Sequence, residues 1–210
     1  MTDLRERLVQ LLRRLGARSD PSPLAEAVVA AWSEPARRYH DLGHLRDCLA
    51  ELDEAPDTGA DRDHVEAAVW FHDAVYDPRA ADNEARSADW ARNALVSLGI
   101  VPAVAVEVAR LVLLTRHSDP APDPAGQLLC DIDLAVLGGD TSAFERYEHG
   151  IRAEYAWVPA AAFRAARREV LLSLLARSPL YQTTHFRSRL EAAARRNLTL
   201  ALERLATEVP

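Results

Sequence analysis

The run AAVWFHD, residues 67–73, ends an apolar stretch with an imidazole and a carboxylate side by side, His72 and Asp73. A core helix has no use for that pair, because buried charges persist only when they are paired or bound to a metal. Other histidines and aspartates are placed in the same way. His40 and His44 stand four apart in RYHDLGHL, the spacing of one helix face. His117 closes the hydrophobic segment LVLLTR. Asp131 and Asp133 lie inside LLCDIDLAVL, where at least one carboxylate must point inward or cap. Separate segments thus each bring nitrogen or oxygen donors to an apolar end or interior. That is how a helical fold builds a metal centre in its core.

Composition removes several other chemistries. The chain has 210 residues, enough for one compact domain with a sizeable core. It contains no lysine, which excludes a Walker-type phosphate loop, a Schiff-base enzyme and a lysine general base. The net charge of −7 argues against non-specific nucleic-acid binding through bulk charge. The two cysteines, Cys48 and Cys130, form no CxxC, which excludes an all-thiolate zinc site and argues against a disulfide framework. HDLGH invites comparison with the HExxH zinc proteases, with Asp41 in the base position. That reading leaves His72, Asp73 and Asp133 without a use. The opening MTDLRERLVQLLRRLG is charged and amphipathic, unlike a signal peptide, and no run reaches the roughly 18 apolar residues of a membrane span. A cytoplasmic protein is expected.

The elements that must position these donors read as helices throughout. Leu4, Leu8, Leu11, Leu12 and Leu15 mark an amphipathic helix over residues 3–16. Ser22, Pro23 and Glu26 give a start signal for LAEAVVAAW. Pro35 is expected to open a third helix that carries both His40 and His44. Further helices are expected over 63–76, from 83 to Gly99, from Pro102 to His117, through QLLCDIDLAVLG, over 141–155, over 159–176 and over 184–206. The short run LVLLT could pass for a strand, but its length fits the helix that starts at Pro102. The pairs Arg13-Arg14, Arg167-Arg168 and Arg195-Arg196 read as solvated faces. The expectation is one all-α domain over residues 1–210, with about nine or ten helices.

The order His44, then His72-Asp73, then Asp133 resembles the HD superfamily of metal-dependent phosphohydrolases. RYHDLGHL, FHDAVYD, NEARSA, LLTRH, DIDLAVLG, IRAEY and ARRNL extend the likeness over about residues 37–198, toward a subgroup of predicted phosphohydrolases. The resemblance implies an HD-type helical bundle with His44, His72, Asp73 and Asp133 as metal ligands. Asp131 would then support the site from behind the ligands. A nitrogen and oxygen set of this kind suits Mn²⁺, Fe²⁺, Ni²⁺, Co²⁺ or Zn²⁺, with Mg²⁺ also open. Such an ion lowers the pKa of a bound water from about 15.7 toward about 7.

A carboxylate must then orient or deprotonate the water: Glu84 is the candidate, with Asp73 the alternative. Arg38, Arg116 and Arg152 are candidates for holding phosphate through their planar forks of donors. His40 and His117 could donate to the phosphate, protonate the leaving group or bind a second metal. The expected activity is hydrolysis of a phosphate ester or anhydride of a small molecule such as a nucleotide. The alternative is a non-catalytic nucleotide-binding or regulatory HD module. Two departures narrow the substrate. Ala74-Val75-Tyr76 stands where guanosine-polyphosphate hydrolases carry a Glu-Asp pair, and the Gly-Tyr-Pro element of cyclic-dinucleotide hydrolases is missing.

Overall fold

The computed structural model describes residues 3–207. It is all-α: ten α-helices and one 3₁₀ turn, with no strand among the described residues. No helix there is long and apolar enough to cross a membrane. The chain divides into two compact units, Met1–Asp133 and Leu134–Pro210.

The first unit holds α1 (Leu4–Arg14), α2 (Ser22–Trp32), α3 (Leu42–Glu54), α4 (Arg62–Phe71), α5 (Asn83–Ser97), α6 (Pro102–Leu114) and α7 (Pro124–Asp133). Its centre is α4. Every residue from Val65 to Phe71 is buried, as a helix apolar all round requires, and α1, α3, α5, α6 and α7 all pack against it. Its one buried charge is Glu66. The amphipathic α1 buries Leu8, Leu11 and Leu12 and sends Arg7 to Glu66 at 2.7 Å and Arg14 at 3.1 Å. Arg14 lies on the exposed face expected of it, where it also pairs with Asp63 at 2.9 Å.

Several boundaries differ from the sequence expectation: α6 ends at Leu114 and not at His117, and QLLCDIDLAVLG is not one helix but the end of α7 followed by a 3₁₀ turn from Leu134. The third helix starts at Leu42 and not at Pro35, because Asp41 caps it. The Asp41 carboxylate accepts from Gly43 N at 2.7 Å and His44 N at 3.4 Å. A Cβ on residue 43 would lie 2.9 Å from Asp41 Oδ1, so glycine permits that close cap. His40 consequently precedes the helix and does not share a helical face with His44. The fourth helix stops at Phe71 with His72 as its cap, five residues short of the expected end at residue 76. Ser22 is the first residue of α2 and not its cap, since its N–H and hydroxyl both turn back to Asp20. LVLLT begins in the last turns of α6, as its length suggested.

The second unit holds the 3₁₀ turn Leu134–Gly138, then α8 (Thr141–Glu154), α9 (Ala160–Ala176) and α10 (Thr184–Thr207). Asp140 caps α8 by accepting from Ala143 N at 2.8 Å. α10 lies so close to the 3₁₀ turn that a Cβ at Gly138 would meet Leu190 Cβ at 2.5 Å. Asn197 Nδ2 ties the two together by donating to Leu137 O at 2.9 Å and Gly139 O at 3.0 Å. Arg167 is buried, paired with Glu148 and laid over the Tyr147 ring at 5.0 Å. Arg195 donates to Glu191, Leu175 O and Arg177 O. Arg167 thus leaves the solvated face expected of it, while Arg195 stays partly exposed, because periodicity does not reveal which long side chain finds a buried partner.

Candidate metal centre

The site lies wholly within the first unit, and each donor is delivered by a helix end. The N-terminal turn of α3 carries His44 and, one turn on, Cys48. The cap of α4 carries His72, and Asp73 follows it. Asp133 is the last residue of α7. His117 comes two residues beyond the cap of α6 with a positive φ of 52°, a conformation uncommon outside glycine and enriched at functional turns.

These side chains converge. His44 Nε2 lies 3.2 Å from His72 Nε2 and 3.2 Å from Asp133 Oδ1. His72 Nε2 lies 3.3 Å from Asp73 Oδ2 and 3.5 Å from Asp133 Oδ1. The other Asp133 oxygen accepts from His117 Nε2 at 2.8 Å. His40 Nε2 is 3.9 Å from Asp73 Oδ2, with its ring stacked on Tyr76 at 4.2 Å. His44 and His72 are both buried, and Trp32 lies beside His72 at 5.3 Å between ring centroids. Trp32 is itself fixed by an Nε1 hydrogen bond of 2.9 Å to Trp70 O.

The donor arrangement fits a cation. His72 Nδ1 sits 2.9 Å from Val69 O, which can only accept, so Nδ1 carries a proton and Nε2 presents a lone pair whenever the ring is neutral. That lone pair faces a second imidazole nitrogen and two carboxylates. Acceptors meet acceptors there, and only a proton or a metal ion can reconcile them. The anchoring of the far ring nitrogen to a carbonyl is also the usual support of a metal-ligating histidine.

The electrostatics agree. Burial pushes the His72 imidazole toward neutrality, but Asp73 and Asp133 raise its pKa well above the ordinary value. Burial works against the Asp133 charge as well. His72, with hydrogen bonds from His117, His44 and His72, nonetheless holds its carboxyl well below the usual range. The same contest, decided by His72 and then His40, brings Asp73 to about 2. Burial and then the charges of Asp133 and Asp73 push the Cys48 thiol well up. One ligand atom each from His44, Cys48, His72 and Asp133 lie within 4.8 Å of one another, and this buried group could hold a metal ion.

The remaining candidates are placed less uniformly. Asp131 is buried, but it stands roughly 200° around α7 from Asp133 and is outside that group. Glu84, in the first turn of α5, faces Arg116 at 3.7 Å, and Arg116 neighbours His117. The Arg38 side chain is exposed. Arg152 belongs to the second unit, where it donates to Tyr155 O at 2.6 Å and Val158 O at 3.2 Å and covers the Phe163 ring.

Two residues at the site were not singled out from the sequence. Cys48 is one. The other is Arg37, a buried guanidinium between the rings of Trp32 and Tyr76 that donates to His40 O at 2.9 Å, Asp73 O at 2.6 Å and Ala74 O at 3.0 Å. It ties the segment before α3 to the segment after α4. The available signal was the pair Arg37-Arg38, in which nothing local marks the inward member. Lysine cannot reproduce three fixed bonds from a planar fork. Arg37→Lys is therefore expected to cost about 1–3 kcal/mol of stability in urea unfolding. It should also weaken metal retention by about 10–100-fold. An unchanged unfolding midpoint would count against this role.

Compared with family models, curated proteins and solved structures, the chain finds no match.

Proposed function

We propose that the chain is a metal-dependent phosphohydrolase that cleaves a phosphate ester or anhydride of a small molecule such as a nucleotide, in the cytoplasm. The observation that carries this reading is the meeting of His44, His72, Asp73 and Asp133 in one buried cluster that calls for a cation. Their order along the chain resembles that of the HD phosphohydrolases and supplies the reaction type. A bound divalent ion supplies an acidified water and offsets negative charge on the phosphoryl group. His44, His72, Asp73 and Asp133 hold that ion. His117 keeps Asp133 oriented through its 2.8 Å bond to Oδ2. Glu84 takes the proton of the attacking water, and Arg116, tethered beside it, meets the phosphate. His40, at the Asp73 edge of the cluster, protonates the leaving oxygen.

The test is a panel of nucleotides and sugar phosphates assayed with Mn²⁺, Fe²⁺, Ni²⁺, Co²⁺, Zn²⁺ or Mg²⁺. Catalytic release of phosphate or pyrophosphate that stops with EDTA is expected. Saturable nucleotide binding without turnover under every metal would replace this reading with that of a non-catalytic binding module.

A further inference from the structure

Cys48 takes no part in the chemistry just described, yet it sits among the groups that perform it. Its thiol is 2% exposed, one turn beyond His44 on α3, with Sγ 3.7 Å from both ring nitrogens of His44. We propose that the Cys48 sulfur binds the same ion as His44, His72 and Asp133. The centre is then a mixed nitrogen, oxygen and sulfur site for a borderline divalent cation such as zinc, cobalt or ferrous iron, and not a magnesium site. This deepens the metal reading given above and rests on it.

Donor spacing is the first support. Zinc bonds of about 2.0–2.1 Å to imidazole, 2.0–2.2 Å to carboxylate and 2.3 Å to sulfur, in a tetrahedron, set donor-to-donor edges of roughly 3.3–3.6 Å. Four of the six edges are 3.2 Å for His44 to His72, 3.2 Å for His44 to Asp133, 3.5 Å for His72 to Asp133 and 3.7 Å for Cys48 to His44, and the other two, from the sulfur to His72 and Asp133, lie within 4.8 Å. All four donor atoms lie within 4.8 Å of one another. Asp73 lies 3.3 Å from His72 Nε2 but stands outside this group of four.

The second support is the set of donors around the sulfur. A buried cysteine alone is a small apolar filler. Here it lies next to a histidine whose Nε2 faces a lone pair on His72 and a carboxylate oxygen on Asp133. On binding, the S–H bond breaks, its proton passes to solvent and the sulfur lone pair joins the ion. Thiolate favours zinc, cobalt and iron, whereas magnesium takes oxygen ligands and keeps its waters.

The probe is Co²⁺ titrated into the metal-stripped full chain, read by absorption. Visible d–d bands report that cobalt is held. A near-ultraviolet thiolate-to-cobalt band reports sulfur in the coordination sphere. Both are expected to rise and saturate together. Cys130→Ser should keep both, and Cys130 is the one other cysteine in the chain. Cys48→Ser should keep the visible bands, lose the near-ultraviolet band and weaken zinc retention about 10-fold or more. Visible bands without the sulfur band in the unaltered chain, or a sulfur band that survives Cys48→Ser, would overturn the sulfur ligand and leave the metal centre standing. Absence of any cobalt spectrum would overturn both. The unaltered chain and Cys130→Ser already decide the question if Cys48→Ser fails to fold.

Discussion

Asp133→Asn is expected to empty the metal centre while leaving the helices in place. Asp133 is the common partner of three imidazoles: His117 at 2.8 Å, His44 at 3.2 Å and His72 at 3.5 Å. The amide keeps the shape of the carboxylate but removes its charge, and it offers a donor where an acceptor is needed. A divalent ion held by buried histidines loses its principal anion in that variant. Loss beyond about 100-fold in metal affinity is expected, above the range seen when only a supporting residue behind a ligand is removed. Helical circular dichroism should persist, because Asp133 ends α7 and its removal opens no apolar cavity. Elemental analysis after gel filtration reads the outcome. Unchanged metal content in a folded variant would remove Asp133 from the ligand set.

Glu84→Gln is expected to do the opposite, keeping the ion and losing turnover. Glu84 is partly exposed and faces Arg116 at 3.7 Å, which is not a member of the buried cluster. The role proposed for Glu84 is therefore proton transfer and not ligation. The glutamine is isosteric and can still bond to Arg116 through its carbonyl, but it cannot take a proton from water. Removing a general base costs about 10²-fold or more in kcat. KM should change little, since Arg116, the arginine proposed to meet the phosphate, remains. Metal content equal to the unaltered chain, with turnover at least about 100-fold lower, is the expected result. Normal turnover in that variant would exclude Glu84 from the reaction.

Local pattern made much of this protein readable in advance. The leucine spacing of α1, the proline start of α6 and the unbroken apolar run of α4 each follow from a 3.6-residue period and a few start and stop signals. The donor types at His44, His72, Asp73 and Asp133 were equally visible, because charged groups inside apolar runs demand an explanation. Helix ends were less secure, since neighbouring signals compete. Pro35 is a good first residue for a helix, but the Asp41 side chain captures the free N–H groups of Gly43 and His44 and moves the start to Leu42. That shift takes His40 off the helical face and sets it against Tyr76.

What the sequence by itself determined, then, was an all-helical chain and the identity and order of its candidate metal-binding groups. Both are properties of short stretches. The tertiary structure alone decided which groups meet. Arg37 reaches the Asp73 carbonyl while Arg38 faces solvent, Asp133 and not Asp131 turns to the histidines, and the Cys48 sulfur arrives beside them. Each of those choices depends on how separate helices pack around α4, and no period within a single helix carries that information.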